Sequence, residues 1–287
     1  MKISTIQILK TVIYADIHDF ALKKNELWQY LIGRHIKYTT FTSELERLVR
    51  SKQLHQVSEY YSLSKRKNLI SYRRRLVKSQ TTKLHLAHQA AHVLTYIPTL
   101  WYVGVSGSLA IENARMDDDI DLFLICAPHT VWITRLLCVL LLEFFGNRRT
   151  ARSRNAQDLL CANMFMDASL LKLPKKEQDL YSAHEIAQVK TLFSKHGSYE
   201  RFLQANSWVR TFLPHTYIPT QRIDKLQPAP LWRTFLNAVL FYAQKRYMRA
   251  RLTTEIVEPN QIRFHPQDAR SWVLPAFRAR TKALGMK

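Results

Sequence analysis

The feature that most constrains this chain is one segment where an apolar strand runs into Gly-Ser and the next strand opens on paired aspartates. Leu100–Val105 is apolar and β-prone, and Ser106-Gly107-Ser108 turns out of it. Residues 109–113 suit a short helix, and Asp117-Asp118-Asp119-Ile120-Asp121 leads into a second strand, Ile120–Cys126. Residues i and i+2 of a strand share a face, so Asp119 and Asp121 stand side by side while Ile120, Leu122 and Leu124 anchor the other face in the core. Carboxylates so placed repel unless a cation joins them, and hard oxygen donors suit Mg²⁺ together with a substrate phosphate. A strand ending in Gly-Ser before a helix offers free backbone N–H groups, and glycine lets an anion approach them closely. Asp117 and Asp118 read as a solvent-facing turn.

The surrounding pattern predicts a mixed α/β core with helical flanks. Residues 4–15 have helical apolar spacing, Asn25 suits the cap of a second helix, and Ser43 the cap of a third whose first turn holds Glu44 and Glu46. A hairpin over 54–63 follows, which gives the order of a winged helix-turn-helix. Residues 64–96 contain neither Pro nor Gly and predict one long basic helix with Leu69, Leu76, Leu84, Ala87, Ala91 and Leu94 inward. Its Arg73-Arg74-Arg75 run suits either phosphate contact or a solvated face. Residues 131–145 read as a buried core helix, 159–166 as a third strand, and 181–193, 199–212 and 232–252 as C-terminal helices. The domains expected are therefore 1–63, a winged-helix-like module; 64–98, a connecting helix; 99–180, the core; and 181–287, a helical C-terminal region.

Net charge then narrows the partners. The 287 residues carry 43 Lys and Arg against 22 Asp and Glu, a net +21. The charge divides as +10 over residues 1–80, zero over 81–180 and +11 over 181–287. Two basic flanks around a neutral centre point to an anionic partner. Cys126, Cys138 and Cys161 show no metal or disulfide spacing, which suits reduced cytoplasmic thiols and no disulfide-linked partner. The most apolar run, 131–145, is broken by Arg135 and Glu143 and is too short to span a bilayer, so no membrane partner is expected.

Gly107-Ser108, ten intervening residues and then Asp119-Ile120-Asp121-Leu122 resemble the signature of the polymerase-β-like nucleotidyltransferase superfamily. Trp132-Ile133-Thr134-Arg135, Cys161-Ala162-Asn163, residues 181–188, Ala205-Asn206-Ser207-Trp208 and residues 264–268 extend the resemblance over nearly the whole chain. They look like a family of predicted bacterial and archaeal nucleotidyltransferases with a winged-helix-like N-terminus. The resemblance implies an α+β fold with a nucleotidyltransferase-type mixed sheet. It implies that Ser106, Gly107 and Ser108 hold a nucleoside triphosphate and that Asp119 and Asp121 bind two Mg²⁺ ions. Arg135, Arg148 and Arg149 are candidate triphosphate or acceptor contacts. It implies a reaction type, transfer of a nucleoside monophosphate, and no particular acceptor.

One departure concerns the third strand, where the superfamily has a carboxylate. Here Asn163 stands at the expected inward position, bracketed by Asp158 and Asp167. Asn can coordinate a metal but is a poor general base. His184-Glu185 lacks the second histidine of a zinc-protease motif, and suits either a residue pair facing the cleft or a polar pair under the fold. Trp132 and Trp208 read as core aromatics. The basic flanks suggest RNA or DNA as acceptor. The alternative is a nucleic-acid-binding regulator whose core is inactive or senses nucleotides, and a protein or small-molecule acceptor is a third reading.

Overall fold

The computed structural model describes residues 2–145, 148–149, 156–249, 255–264 and 268–285. The N-terminal module comprises α1 (Ile3–Ile17), β1 (Leu22–Lys23), α2 (Lys24–Gln29), α3 (Tyr38–Arg50) and the hairpin β2 (Leu54–Val57) and β3 (Tyr60–Leu63). Its antiparallel sheet has the order β1-β3-β2. Ile8, Val12, Leu27, Phe41, Leu45 and Leu48 close a core of their own.

Two caps differ from expectation. The third helix starts at Tyr38, a turn and more before Ser43. Tyr38 and Phe41 each pack on Trp28, at ring separations of 5.1 Å, and this aromatic contact holds the additional turn. Glu44 is consequently mid-helix and buried. It accepts hydrogen bonds from Thr5 Oγ1 (2.8 Å) and Lys2 Nζ (3.1 Å), and with Arg47 these hold its carboxyl down to about 2 despite burial. In α2 the cap is also not Asn25, which lies inside the helix; Glu26 reaches back to accept from the Lys23 N–H at 2.7 Å.

A short 3₁₀ turn (Ser64–Arg66) leads into α4 (Asn68–Leu94), which buries Leu69, Leu76, Ala87, Ala91 and Leu94. Arg73 is neither a phosphate contact nor a solvated residue. It is buried, its guanidinium donates to Glu26 (2.6 and 2.7 Å) and to the Ala21 carbonyl (2.5 Å), and it lies over the Phe20 ring. Arg74 and Arg75 are exposed.

The remaining chain builds β4 (Leu100–Val105), α5 (Gly107–Ala110), β5 (Ile120–Cys126), α6 (Val131–Phe144), β6 (Leu160–Asp167), α7 (Leu180–Gln188), β7 (Lys190–Ser194), α8 (Ser198–Ala205), α9 (Leu231–Met248), β8 (Ile256–Glu258), β9 (Gln261–Arg263) and α10 (Arg270–Ala283). The protein is thus α+β, with a six-stranded mixed sheet of order β7-β4-β5-β6-β9-β8. β5 and β6 are parallel, and the other pairs are antiparallel. Alternation along β5 sends Leu122 and Leu124 into a core with α4 and α6, and Phe123 and Ile125 into a second core with α7 and α8.

The C-terminal region is therefore not purely helical. The helix expected over 181–193 stops at Gln188, and residues 190–194 pair with β4 as a strand. β4 would otherwise be an edge with unpaired backbone groups, and this pairing outweighs helix propensity. The helix expected over 199–212 breaks at Asn206, which is fully buried; its side chain accepts from the Leu173 N–H (3.0 Å) and donates to the Leu171 carbonyl (2.8 Å). Residues 250–252 of the helix expected over 232–252, and residues 265–267, lie outside the described residues. The helix expected to be wholly buried, α6, buries only one face. Trp132 is fully buried, with Nε1 donating to the Glu258 carbonyl at 3.1 Å.

One side chain ties α4 to the loop ahead of β5. Lys83 is fully buried, and its ammonium donates to the carbonyls of Met116 (3.2 Å) and Asp118 (2.5 Å) and pairs with Asp158 at 2.8 Å. Replacing Lys83 by Met strands these acceptors, and urea unfolding is expected to show a loss of about 3 kcal/mol. Asp158→Asn, at a partly exposed carboxylate, is expected to cost less.

Candidate active site

The turn after β4 is pinned to β5 by the Ser106 N–H, which donates to the Asp121 carbonyl at 3.0 Å. Gly107 has φ +64°, and a Cβ there would come within 3.3 Å of Asp121 Oδ2. The left-handed backbone favours glycine, and a Cβ would crowd the Asp121 carboxylate. Ser108 Oγ donates to Asp118 Oδ2 at 3.0 Å, and the Arg115 N–H donates to the same atom at 2.9 Å. Asp118 is thus a brace for the turn rather than a solvated residue, and it engages the hydroxyl expected to face a phosphate. Asp117 is exposed and pairs with Arg115.

Asp119 and Asp121 come together as their spacing requires, and the third group beside them is Cys161. One ligand atom from each of the three lies within 4.8 Å of the others. The parallel register pairs Asp121 with Cys161, two residues ahead of the expected Asn163. Asn163 sits instead at the β6 bulge, between the pairs Leu122–Ala162 and Phe123–Met164. It is buried, its Oδ1 has no partner among the described residues, and its carbonyl accepts from Phe264 N–H at 2.9 Å. The flanking acids are committed elsewhere. Asp158 pairs with Lys83, while Asp167, at the far end of β6, accepts from the His129 (2.6 Å) and Ser169 (2.9 Å) N–H groups.

The guanidinium of Arg149 pairs with Asp119. Burial, with Asp119 beside it, pushes the Asp121 carboxyl up to about 7, against the pull of Arg149. Glu185, on α7, adds its field to Asp121, and burial pushes its own carboxyl up to about 7. Two carboxylates held this close to an arginine fit a divalent cation through hard oxygens. The Cys161 thiol, raised by burial and hydrogen-bonded to Asp121, adds no third oxygen.

Two cavities meet at this point. One of about 330 Å³ is lined by Gly107, Ser108, Asp121, Tyr14, Tyr30 and Trp272, among others. The other, of about 220 Å³, is lined by Phe123, Met164, Ile186, Phe202, Arg263 and others, and the two share Ser106, Tyr181, Glu185 and Ala269. The wall given by α1 and α10 was not legible in the sequence; its one local trace is Tyr14 and His18, four residues apart and so on one helix face.

His184 and Glu185 both line the cavity of about 330 Å³, which is the cleft-facing role of the two expected. Glu185 faces the shared wall. His184 is buried, stacks on Tyr14 at 3.8 Å between ring centroids, and its Nδ1 lies 2.9 Å from the Leu180 carbonyl. Arg135 is not brought to the cleft. It lies between α6 and α9, with Nη1 donating to Gln244 Oε1 at 2.5 Å, and burial followed by the nearby Arg148 lowers it to about 10. Arg148 pairs with Glu143.

Comparison with protein-family models, curated proteins and solved structures finds no match for this chain. The resemblance described above therefore rests on the residues themselves.

Burial drives the His184 ring down to about 3 from its ordinary 6.5. Above pH 6.5 both folded and unfolded states hold it neutral, and its contribution to stability is complete. As pH falls from 6.5 towards 3 only the unfolded state takes up the proton, and stability is lost. Between pH 6.5 and 5 the wild type is expected to lose about 2 kcal/mol more than His184→Phe, measured by urea unfolding at both pH values.

Proposed function

We propose that the protein is a Mg²⁺-dependent nucleotidyltransferase that moves a nucleoside monophosphate from a nucleoside triphosphate to an acceptor. The carrying observation is the convergence of the Gly107 turn on Asp121, with Asp119 alongside and Glu185 facing the same space. The finer reading, a winged-helix-like module beside a nucleotidyltransferase-type sheet, is supported by three helices and a small antiparallel sheet preceding a strand–turn–strand with this acid pair.

Divalent ions at such a site neutralise triphosphate oxygens and stabilise charge on the attacking and leaving oxygens. Asp119 and Asp121 would hold them, in exchange for the pairing of Asp119 with Arg149. Gly107 gives the triphosphate a close approach to backbone N–H groups. Glu185, whose carboxyl titrates near neutrality, takes the proton of the acceptor hydroxyl as its oxygen attacks the α-phosphorus and pyrophosphate departs. This assigns to a helix the acid expected from the third strand. Tyr14, Tyr30 and Trp272 offer the nucleoside neutral aromatic surfaces.

The rival reading, a nucleic-acid-binding regulator with a silent core, is favoured by Cys161 in the third-strand position. It loses support from Arg73, which is spent inside the fold.

Incubation with each α-labelled nucleoside triphosphate, Mg²⁺ and total cell RNA, protein and small-molecule fractions is expected to label one fraction. Asp119→Ala and Asp121→Ala are each expected to abolish labelling with the fold retained, and Glu185→Gln to slow it about 100-fold. Wild-type rates in either aspartate variant overturn the assignment, and absence of label in every fraction favours the regulator.

A further inference from the structure

The helix α9 carries apolar residues on both faces: Phe241 and Met248 are buried in the core, and a second stripe faces outward. Asn237 and Gln244 point inward, where Asn237 Oδ1 accepts from the Trp132 N–H and Gln244 Nε2 donates to the Trp132 carbonyl, both at 2.8 Å. Outward stand Leu231 (89% exposed), Trp232 (64%), Phe235 (71%) and Tyr242 (71%), with Leu236 and Val239 among them. The spacing 232, 235, 239, 242 makes one continuous stripe along the helix. The neighbouring α6, joined to α9 through Arg135 and Gln244, likewise turns Leu140 and Phe144 to solvent. Among the described residues nothing covers this apolar area, and exposure on this scale marks a docking surface.

Charge selects the occupant. From Lys225 to Thr254 the chain has six Lys and Arg and no Asp or Glu. Lys245, Arg246 and Arg249 are exposed at the end of the stripe, and Arg233 lies over the Trp232 ring at the other. A second copy of the chain would bring the same cations face to face, on molecules of net +21. Nucleic acid would satisfy the cations and stack on the rings but would leave Leu231, Leu236, Val239 and Leu140 in water. A bilayer surface with anionic headgroups satisfies all three groups, because aliphatic side chains enter the acyl boundary, Trp and Tyr sit at headgroup level, and Lys and Arg meet phosphate.

We propose that the outer face of α9, with the adjoining face of α6, docks the protein on an anionic lipid surface. This departs from the expectation of no membrane partner, which rested on the absence of a spanning segment, and the test below decides between the two. Among the described residues no helix is long and apolar enough to cross a membrane, and the docking inferred is peripheral.

The test is cosedimentation of the full chain with vesicles of phosphatidylcholine containing one third phosphatidylglycerol, beside vesicles of phosphatidylcholine alone. Binding is expected to be about tenfold or more stronger on the anionic vesicles and to fall with salt. The triple variant Trp232→Ser, Phe235→Ser, Tyr242→Ser is expected to lose it by about tenfold with a little-changed melting temperature, since all three side chains are largely exposed and only Tyr242 meets a buried ring, Phe241 at 5.0 Å. Equal binding by the triple variant, or no binding to anionic vesicles, overturns the proposal. So does either alternative pattern: triple-variant loss of single-stranded oligonucleotide binding without vesicle binding, or loss of a wild-type dimer in light scattering.

Discussion

The ammonium of Lys83 is the contact on which the geometry of the acid pair depends. An unpaired cation in a fully buried position is costly, and three oxygen partners from two separate stretches of chain remove that cost only when the stretches are correctly placed. Two of the partners are carbonyls in the loop that delivers Asp119, and the third is the carboxylate just ahead of β6. The long helix α4 thereby sets the height at which Asp119 and Asp121 leave the sheet. Asp118, bonded to both Ser108 and Arg115, transmits the same constraint to the glycine turn. The site is assembled by backbone carbonyls and bracing side chains that do not themselves face the cleft.

The resulting pocket concentrates negative charge in a poorly solvated place. Asp121 and Glu185 are both raised towards neutrality by burial, and one arginine offsets the Asp119 charge. Such an arrangement favours cation uptake and leaves a carboxylate available to accept a proton near pH 7. Glu185 reaches this space from α7, while the position beside Asp121 on β6 holds the small Cys161.

The core strands are legible in the sequence because β4 and β5 are short apolar runs bounded by a Gly-Ser turn and an acidic cluster. The acid pair is legible because period-two geometry needs no tertiary information. Asn163 could not be placed, since a one-residue bulge in β6 decides which residue lies beside Asp121, and bulges leave no pattern in a single sequence. The strand at 190–194 follows from the open edge of β4, a property of the sheet and not of those residues. Arg73 stands in a run that suits phosphate contact or a solvated face, and only the chain brought over it makes it interior. The role of α1 as a cavity wall needs contacts across most of the chain, which no local spacing encodes.

The buried Asp16 of α1 is held by Arg280 of α10, across 264 residues, and by Arg66. The same two helices supply Tyr14 and Trp272 to one cavity, and β9 completes the pairing of β6. A ribosome-bound chain that has not yet emitted residues 261–283 therefore has a nearly complete N-terminal module beside an unfinished sheet and an open cavity. Until then the Asp16 carboxylate has Arg66 alone as its cation, and its second oxygen waits for one of the last segments to arrive. The cavity beside the acid pair closes only with that late segment, and chaperone demand is expected to be greatest in the interval before it.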